Sequence, residues 1–162
     1  RDLLRRASAR LQQVLSQEWE TRAVGLPLQT PYEALTLASI IEKESGIFSE
    51  HGEIEGVFIR RLHAGMRLQS DPTVIYGMGE SYGGNIRRVD LETTTAYNTY
   101  RINGLPPTPI AMAGRNAIHA SLNPSDGETL YFVATGDGGH HFSATLSEHN
   151  AAVRRYQLRQ TQ

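Results

Sequence analysis

Apolar side chains recur with helical spacing in several parts of the chain. Leucines, a valine and a tryptophan repeat every three to four positions over residues 2–21, and Pro27 follows the end of that pattern. A second helix is predicted over residues 31–46, because Pro31 suits a first helical turn and an apolar stripe follows it. A third stripe covers residues 54–62. The first third of the chain is therefore predicted to be helical.

The remainder of the chain mixes short elements with loops. The run Gly136-Asp137-Gly138-Gly139 separates two strand-like segments and predicts a β-hairpin. Thr145 and Glu148 have the spacing of a capping box, which predicts a last helix. Further predictions are a short helix over residues 70–76, shaped loops over residues 80–110 and a helix over residues 113–122. We expect an α+β fold in which helices surround the second helix, with a small antiparallel β-hairpin or sheet.

Composition and charge narrow the function. The 162 residues include 16 Lys and Arg against 17 Asp and Glu, a formal charge of -1, so no basic field is present to hold nucleic acid. No cysteine is present, and no run approaches the roughly 18 apolar residues that span a bilayer. Because the chain opens at Arg1 inside an amphipathic pattern, we expect it to belong to a longer protein.

One carboxylate of the second helix lies on its apolar face. At about 100° per residue, Glu44 falls among Leu37, Ile40 and Ile41 at the end of the stripe. Apolar neighbours raise the pKa of a carboxyl group, which suits a general acid that must keep its proton near neutral pH. The alternative interpretation is a helix end whose carboxylate pairs with an arginine of the next helix, such as Arg60 or Arg61.

Five short motifs carry a resemblance to a known family. In chain order they are Ala-Ser-Ile-Ile-Glu-Lys-Glu-Ser at 38–45, Arg-Leu-Gln-Ser-Asp-Pro-Thr at 67–73, Thr-Ala-Tyr-Asn-Thr-Tyr at 95–100 with Gly-Leu-Pro-Pro at 104–107, Leu-Tyr-Phe-Val at 130–133, and Gly-Gly-His at 138–140. This order resembles that of the YceG-like (MltG-type) endolytic transglycosylases. The Glu44-Ser45 pair is also similar to the catalytic pair of lysozyme-like lytic transglycosylases, which implies a lysozyme-like cleft.

The resemblance implies a division of the chain and a cellular setting. Residues 31–162 would be the YceG-like catalytic domain, and residues 1–30 an N-terminal helix and linker to an upstream region. Members of the family cut nascent peptidoglycan strands at the periplasmic face of the bacterial inner membrane. The implied partners are glycan strands and cell-wall synthases such as penicillin-binding proteins, with an upstream membrane anchor.

The implied chemistry needs one carboxylate. Most glycosidases use two, one for the leaving oxygen and one as nucleophile or base. In a lytic transglycosylase the C6 hydroxyl of N-acetylmuramic acid attacks the anomeric carbon, which leaves a 1,6-anhydro end. Glu44 would act first as acid and then as base, with no metal or cofactor.

Two polar segments are predicted to bind the glycan. Gln69, Ser70 and Asp71 offer amide, hydroxyl and carboxylate groups for sugar hydroxyl and N-acetyl groups, although Ser70 or Asp71 could simply cap the next helix. Ser45 is assigned to the same site, where it would orient the acid or merely end its helix.

The second binding segment is aromatic. Tyr97, Asn98 and Tyr100 suit a glycan-binding loop, because sugar rings present apolar faces to aromatic rings and polar edges to amides. The alternative is a packed, tyrosine-containing loop. His140 is also assigned to substrate binding. A zinc site built from His140, His141, His149 and Asp137 is disfavoured, because strand alternation points His140 and His141 to opposite faces.

Two other functions remain open from the sequence. A muramidase-type hydrolase would pair Glu44 with Asp71 or Glu92 and use water as the nucleophile. A non-enzymatic peptidoglycan-binding module would use Glu44 only as a structural acid.

Overall fold

The computed structural model describes residues 2–157 of the chain. These residues form an α+β fold of helices around one central helix, with a two-stranded antiparallel sheet, so the predicted fold class is confirmed. The helices are α1 (Asp2–Glu20), α2 (Pro31–Glu44), α3 (His51–His63), α4 (Asp71–Met78), α5 (Arg88–Glu92), α6 (Arg115–Leu122) and α7 (Leu146–Tyr156), and the strands are β1 (Tyr131–Ala134) and β2 (His140–Ser143).

The α2 helix lies at the centre of the core. Thr30 caps it by accepting a hydrogen bond from the Glu33 amide at 3.2 Å, and Pro31 occupies its first turn. It packs against α1, α3, α4 and α6, and Leu37, Ile40 and Ile41 have no exposed surface. Burying each such side chain stabilises the fold by about 1.5–3 kcal/mol. The face of α2 that ends in Glu44 is therefore rigidly placed.

The α1 helix joins the same core. Val14 is buried with the central helices, and the Glu18 carboxylate accepts hydrogen bonds from His119 at 2.7 Å and from Arg115 at 3.1 Å, both on α6. The His119 bond is the main cause that lowers the pKa of Glu18, against the effect of its burial. Apolar packing and a charge cluster thus hold α1 against the rest of the fold.

The hairpin agrees with the sequence prediction. Residue pairs Tyr131 with Ser143 and Ala134 with His140 set its register, and Gly136 and Gly138 both adopt positive φ in the turn. The predicted capping box also forms, because Thr145 and Glu148 exchange hydrogen bonds at the start of α7.

Some boundaries differ from the prediction. The α4 helix continues past Gly77 to Met78 and ends at Gly79, whose φ of 55° breaks the helix. The loop-rich region contains the short α5 helix, which a salt bridge between Arg87 and Asp90 helps to start. Among the helices of residues 2–157, none combines the length and apolar character needed to cross a bilayer.

Candidate active site

Glu44 lies where the apolar face of α2 reaches the surface. It follows Ile40 by four residues and Ile41 by three, so its side chain continues the buried stripe. The helix ends immediately afterwards, because Ser45 adopts an extended backbone with φ of -140°. The carboxyl group is half-buried and faces a cleft rather than the core.

The surroundings of Glu44 favour its protonated form. Its Oε1 accepts a hydrogen bond from the Ser70 hydroxyl at 2.5 Å. Burial raises the pKa of Glu44 to about 7, and the charge of Asp71 adds to that effect, while the Ser70 bond and Arg61 oppose it. A carboxyl group with this pKa can give up a proton and recover it near neutral pH. No salt bridge forms between Glu44 and Arg60 or Arg61.

The segment that carries Ser70 is held by its neighbours. Ser70 occupies the cap position of α4, but its hydroxyl binds Glu44 and makes no capping bond. Its amide donates to Thr99 Oγ1 at 2.9 Å, and Gln69 before it has a positive φ of 54°. Non-glycine residues in this conformation are strained and often lie at functional sites. The capping interpretation of Ser70 is therefore wrong for its side chain.

Arg61 fixes the same segment from α3. Its guanidinium donates to the carbonyl oxygens of Leu68 at 2.8 Å and Leu130 at 2.7 Å, and it also reaches that of Arg67. One buried cation thus ties the Ser70 segment to the residue that precedes the hairpin. This arrangement places a positive charge near Glu44 without direct contact.

Asp71 and Tyr100 form a second polar pair in the cleft. The Tyr100 hydroxyl donates to Asp71 Oδ1 at 2.6 Å. Burial raises the pKa of Tyr100, and the neighbouring Asp71 raises it further, so the phenol remains protonated. Asp71 is exposed, and one of its oxygens is occupied by this bond.

The cleft is an open cavity of about 380 Å³. Its walls come from the end of α2, α3, the segment before α4, the hairpin and α7. Five of the predicted residues line it, namely Glu44, Gln69, Asp71, Tyr100 and His140. Ser70 contacts the cleft acid directly, so the structure brings together six of the nine predicted site residues.

The other three predicted residues, Ser45, Tyr97 and Asn98, do not line this cavity. The Asn98 side chain is buried, and its amide donates to the carbonyl of Thr93 at 2.6 Å while its oxygen accepts from the Tyr100 amide at 2.9 Å. The Tyr97 hydroxyl pairs with Thr108 at 2.8 Å. Asn98 thus shapes the loop that carries Tyr100. These contacts of Tyr97 and Asn98 are those of the packed loop that the sequence left open as the alternative.

The Ser45 hydroxyl makes its hydrogen bonds to residues other than Glu44. Ser45 is buried, and its hydroxyl donates to Glu50 Oε2 at 3.1 Å and accepts from the Ile47 amide at 3.0 Å. Its contact with the acid is through the chain alone.

Several cleft residues were not assigned to the site from the sequence, among them one arginine, one phenylalanine and one histidine. Arg61, Phe132 and His149 all line the cavity, and the His149 ring stacks on Tyr131 at 5.2 Å. Arg61 follows Phe58 by three residues, so the test that found Glu44, a charge on an apolar stripe, also applies to it. Within residues 2–157, no group of three or more His, Asp or Glu side chains is arranged to hold a metal ion.

The class of fold is defined by helices that surround one central helix. The central helix ends at a carboxylate in the cleft, and the hairpin forms another wall of that cleft. A crystal structure of a yceG-like protein from Listeria monocytogenes shares this fold with a TM-score of 0.71 and 39% identity. That match covers 88% of this chain and 44% of the other.

Sequence comparison gives the family. The model of the YceG-like family matches residues 1–155, and the chain therefore belongs to the YceG-like family. It is 42% identical over 125 residues to a Bacillus subtilis (strain 168) protein named endolytic murein transglycosylase, a match that covers 77% of this chain and 34% of that protein. A Streptococcus pneumoniae (serotype 2, strain D39) protein of the same name is 34% identical over 130 residues, which cover 76% of this chain and 23% of its own length. The chain thus spans about a third or less of these relatives.

Proposed function

We propose that this chain carries the catalytic centre of an endolytic murein transglycosylase, with Glu44 as its only acid and base. The observation that carries the proposal is the half-buried Glu44 carboxyl in an open cleft, with a pKa of about 7. The names of the two relatives that are similar to this chain in sequence support the same activity.

The reaction proceeds in two proton transfers. The Glu44 carboxyl gives its proton to the oxygen between N-acetylmuramic acid and N-acetylglucosamine as the bond from that oxygen to the anomeric carbon breaks. The C6 hydroxyl oxygen of the muramic acid then bonds to the anomeric carbon, and its proton passes to Glu44. A 1,6-anhydro end forms, no water is consumed, and the acid is regenerated.

The residues around Glu44 support each step. The Ser70 hydroxyl at 2.5 Å can hydrogen-bond the carboxylate that exists between the two transfers. Asp71 carries a negative charge in the same cleft and can stabilise the positive charge that develops on the sugar ring. Gln69 and Tyr100 are placed along the cleft to bind sugar substituents.

The cellular setting is part of the proposal. A nascent peptidoglycan strand is the expected substrate, so the chain would act at the periplasmic face of the inner membrane, beside penicillin-binding proteins.

A second candidate function rests on Asp71. It shares the cleft with Glu44, and a hydrolase needs a second carboxylate to activate water or to attack the sugar. Glu92 does not line this cleft and pairs with Arg88 at 2.8 Å, so among the two carboxylates considered Asp71 is the relevant one.

Product analysis distinguishes these functions. Purified peptidoglycan is digested with the wild-type chain, with Glu44→Gln and with the control Glu42→Gln, and the products are identified by mass spectrometry. Glu42 is a suitable control because it lies two residues away and binds the Gly114 amide at 2.9 Å. Anhydro ends made by the wild type and the control but not by Glu44→Gln support the proposal.

Other products would redirect the assignment. Reducing ends that require Asp71 would identify a hydrolase. Binding to peptidoglycan without any cut product, in wild type and Glu44→Gln alike, would identify a binding module.

A further inference from the structure

The carboxylate of Glu50 lies behind the wall of the cleft and makes three hydrogen bonds. Its Oε1 accepts from the His140 amide at 3.0 Å, and its Oε2 accepts from His140 Nδ1 at 2.8 Å and from the Ser45 hydroxyl at 3.1 Å. The side chains of Glu50 and His140 are only 19% and 10% exposed. Glu50 therefore binds both the backbone amide and the ring of His140.

The charge state of Glu50 determines which ring nitrogen of His140 carries the proton. Burial works against ionisation of Glu50, but its hydrogen bonds from His140 and Ser45 outweigh that effect and lower its pKa. An ionised carboxylate can only accept hydrogen bonds, so Nδ1 of His140 must be the donor. The other nitrogen, Nε2, then bears a free lone pair whenever the ring is neutral.

The free nitrogen is available to a ligand. Nε2 makes no hydrogen bond to any residue within 2–157 and is not enclosed, whereas the ring itself lines the cleft that holds Glu44. Phe132 packs edge-on against the ring, with centroids 5.4 Å apart, and restricts its rotation. The nitrogen therefore has a fixed orientation.

We propose that Glu50 is a positioning residue that holds His140 with Nε2 as a hydrogen-bond acceptor for a donor group of the glycan, a hydroxyl or an acetamido N–H. The inference rests on the proposed function, because the glycan is the ligand. It adds a residue that does not line the cleft and assigns a direction to the hydrogen bond. Glu50 acts only through His140.

The same carboxylate joins the two walls of the cleft. Ser45 directly follows Glu44 at the end of α2, and His140 begins β2, 90 residues beyond Glu50. These contacts hold the ring of His140 in place beside the end of α2, and loss of the Glu50 charge would release that ring.

The first test reads the ring directly by nitrogen-15 NMR of the histidine-labelled chain at pH 8, in the absence of substrate. In the wild type, His140 should be protonated on Nδ1, and Glu50→Gln should increase the form protonated on Nε2, because one amide oxygen replaces two acceptors. His141 points to the other face and should not change. A wild-type ring protonated on Nε2 would overturn the inference.

The second test is a double-mutant cycle on peptidoglycan cleavage with Glu50→Gln, His140→Ala and the double variant. Loss of one neutral hydrogen bond should raise KM about three- to tenfold in each single variant, with a smaller change in kcat. The double variant should be no worse than His140→Ala, because Glu50 acts through the ring. Glu148→Gln is the stability control and should keep the wild-type KM, because it removes a carboxylate that binds two backbone amides and does not line the cleft.

Each failure has its own signature. Effects that multiply in the double variant, or an unchanged KM in His140→Ala, would overturn the inference while the proposed function stands. A wild-type chain that cuts nothing contradicts the proposed function, and the NMR result still decides the orientation of His140. If Glu50→Gln does not fold, the wild-type NMR spectrum and the KM of His140→Ala still test the inference.

Discussion

Two glutamates, Glu44 on α2 and Glu55 on α3, have a raised pKa for the same main reason, burial. Glu55 has no exposed surface, and neither of its oxygens has a hydrogen-bond partner among residues 2–157. Glu44 has a hydroxyl donor, charged neighbours and an open cleft. A raised pKa therefore marks a buried carboxyl group, and access to a cleft is what makes such a group a candidate catalyst.

The largest expected difference between the two glutamates is in activity. Glu44→Gln should lower the rate of strand cleavage at least about 100-fold, because the amide can neither donate nor recover the proton. Glu55→Gln should keep the rate within about threefold, because Glu55 lies outside the cleft. The measurement is the release of cleaved ends from peptidoglycan over time. Similar losses in both variants would contradict the assignment of Glu44.

Glu44→Gln should lower the activity but raise the stability of the folded chain above pH 7. The pKa of Glu44 is about 7 in the folded chain and about 4.5 when unfolded, so the folded state binds more protons between these values and loses stability as pH rises through them. At pH 8, the free energy of unfolding of Glu44→Gln should therefore exceed that of the wild type by up to about 3 kcal/mol. Near pH 4 the two should be similar. Denaturant unfolding at both pH values provides the comparison, and an equal difference at each would count against it.

Glu55 can be tested by an apolar replacement. A buried polar group without a partner costs about 1–3 kcal/mol, and Glu55→Met keeps the length of the side chain while it removes the carboxyl group. The variant should be more stable by that order at pH 7, as measured by thermal unfolding. A loss of stability would mean that the carboxyl group has a favourable contact in solution.

The smallest expected effect concerns the hydrogen bond that only Glu44 has. The Ser70 hydroxyl lowers the pKa of Glu44, so Ser70→Ala should raise it. Because the acid must be protonated, kcat/KM should fall as pH rises through about 7 in wild type, and the fall should lie at higher pH in Ser70→Ala. Rates from pH 5 to pH 9 locate both profiles. A shift to lower pH would be inconsistent with a hydroxyl that stabilises the carboxylate.

Much of the local structure could be predicted. The apolar stripe of α2 predicted both the helix and the position of Glu44, and the Gly-rich run with the Thr145 capping box predicted the hairpin and α7. These features depend on residues within a few positions of each other, so their physics is already present in the local sequence.

The arrangement of the site residues could not be predicted, because it depends on contacts between residues that are distant in the sequence. Ser70 was assigned to glycan binding with capping of α4 as the alternative, and its hydroxyl donates to Glu44 instead of capping the helix. Asn98 stays a predicted glycan-binding residue, but its side-chain amide is buried and donates to the carbonyl of Thr93. The spacing of residues along the chain does not predict the contact between Ser70 and Glu44 or the burial of Asn98.

The sequence by itself determined the α+β class, the helix that carries Glu44, and membership of a family recognised from five ordered motifs. Only the tertiary structure decided which polar groups meet: Ser70 with Glu44, Asp71 with Tyr100, and Glu50 with His140. The reason is that helix and hairpin formation follow short-range periodicity, whereas the pKa of a carboxyl group depends on burial and on charges that separate parts of the chain bring together.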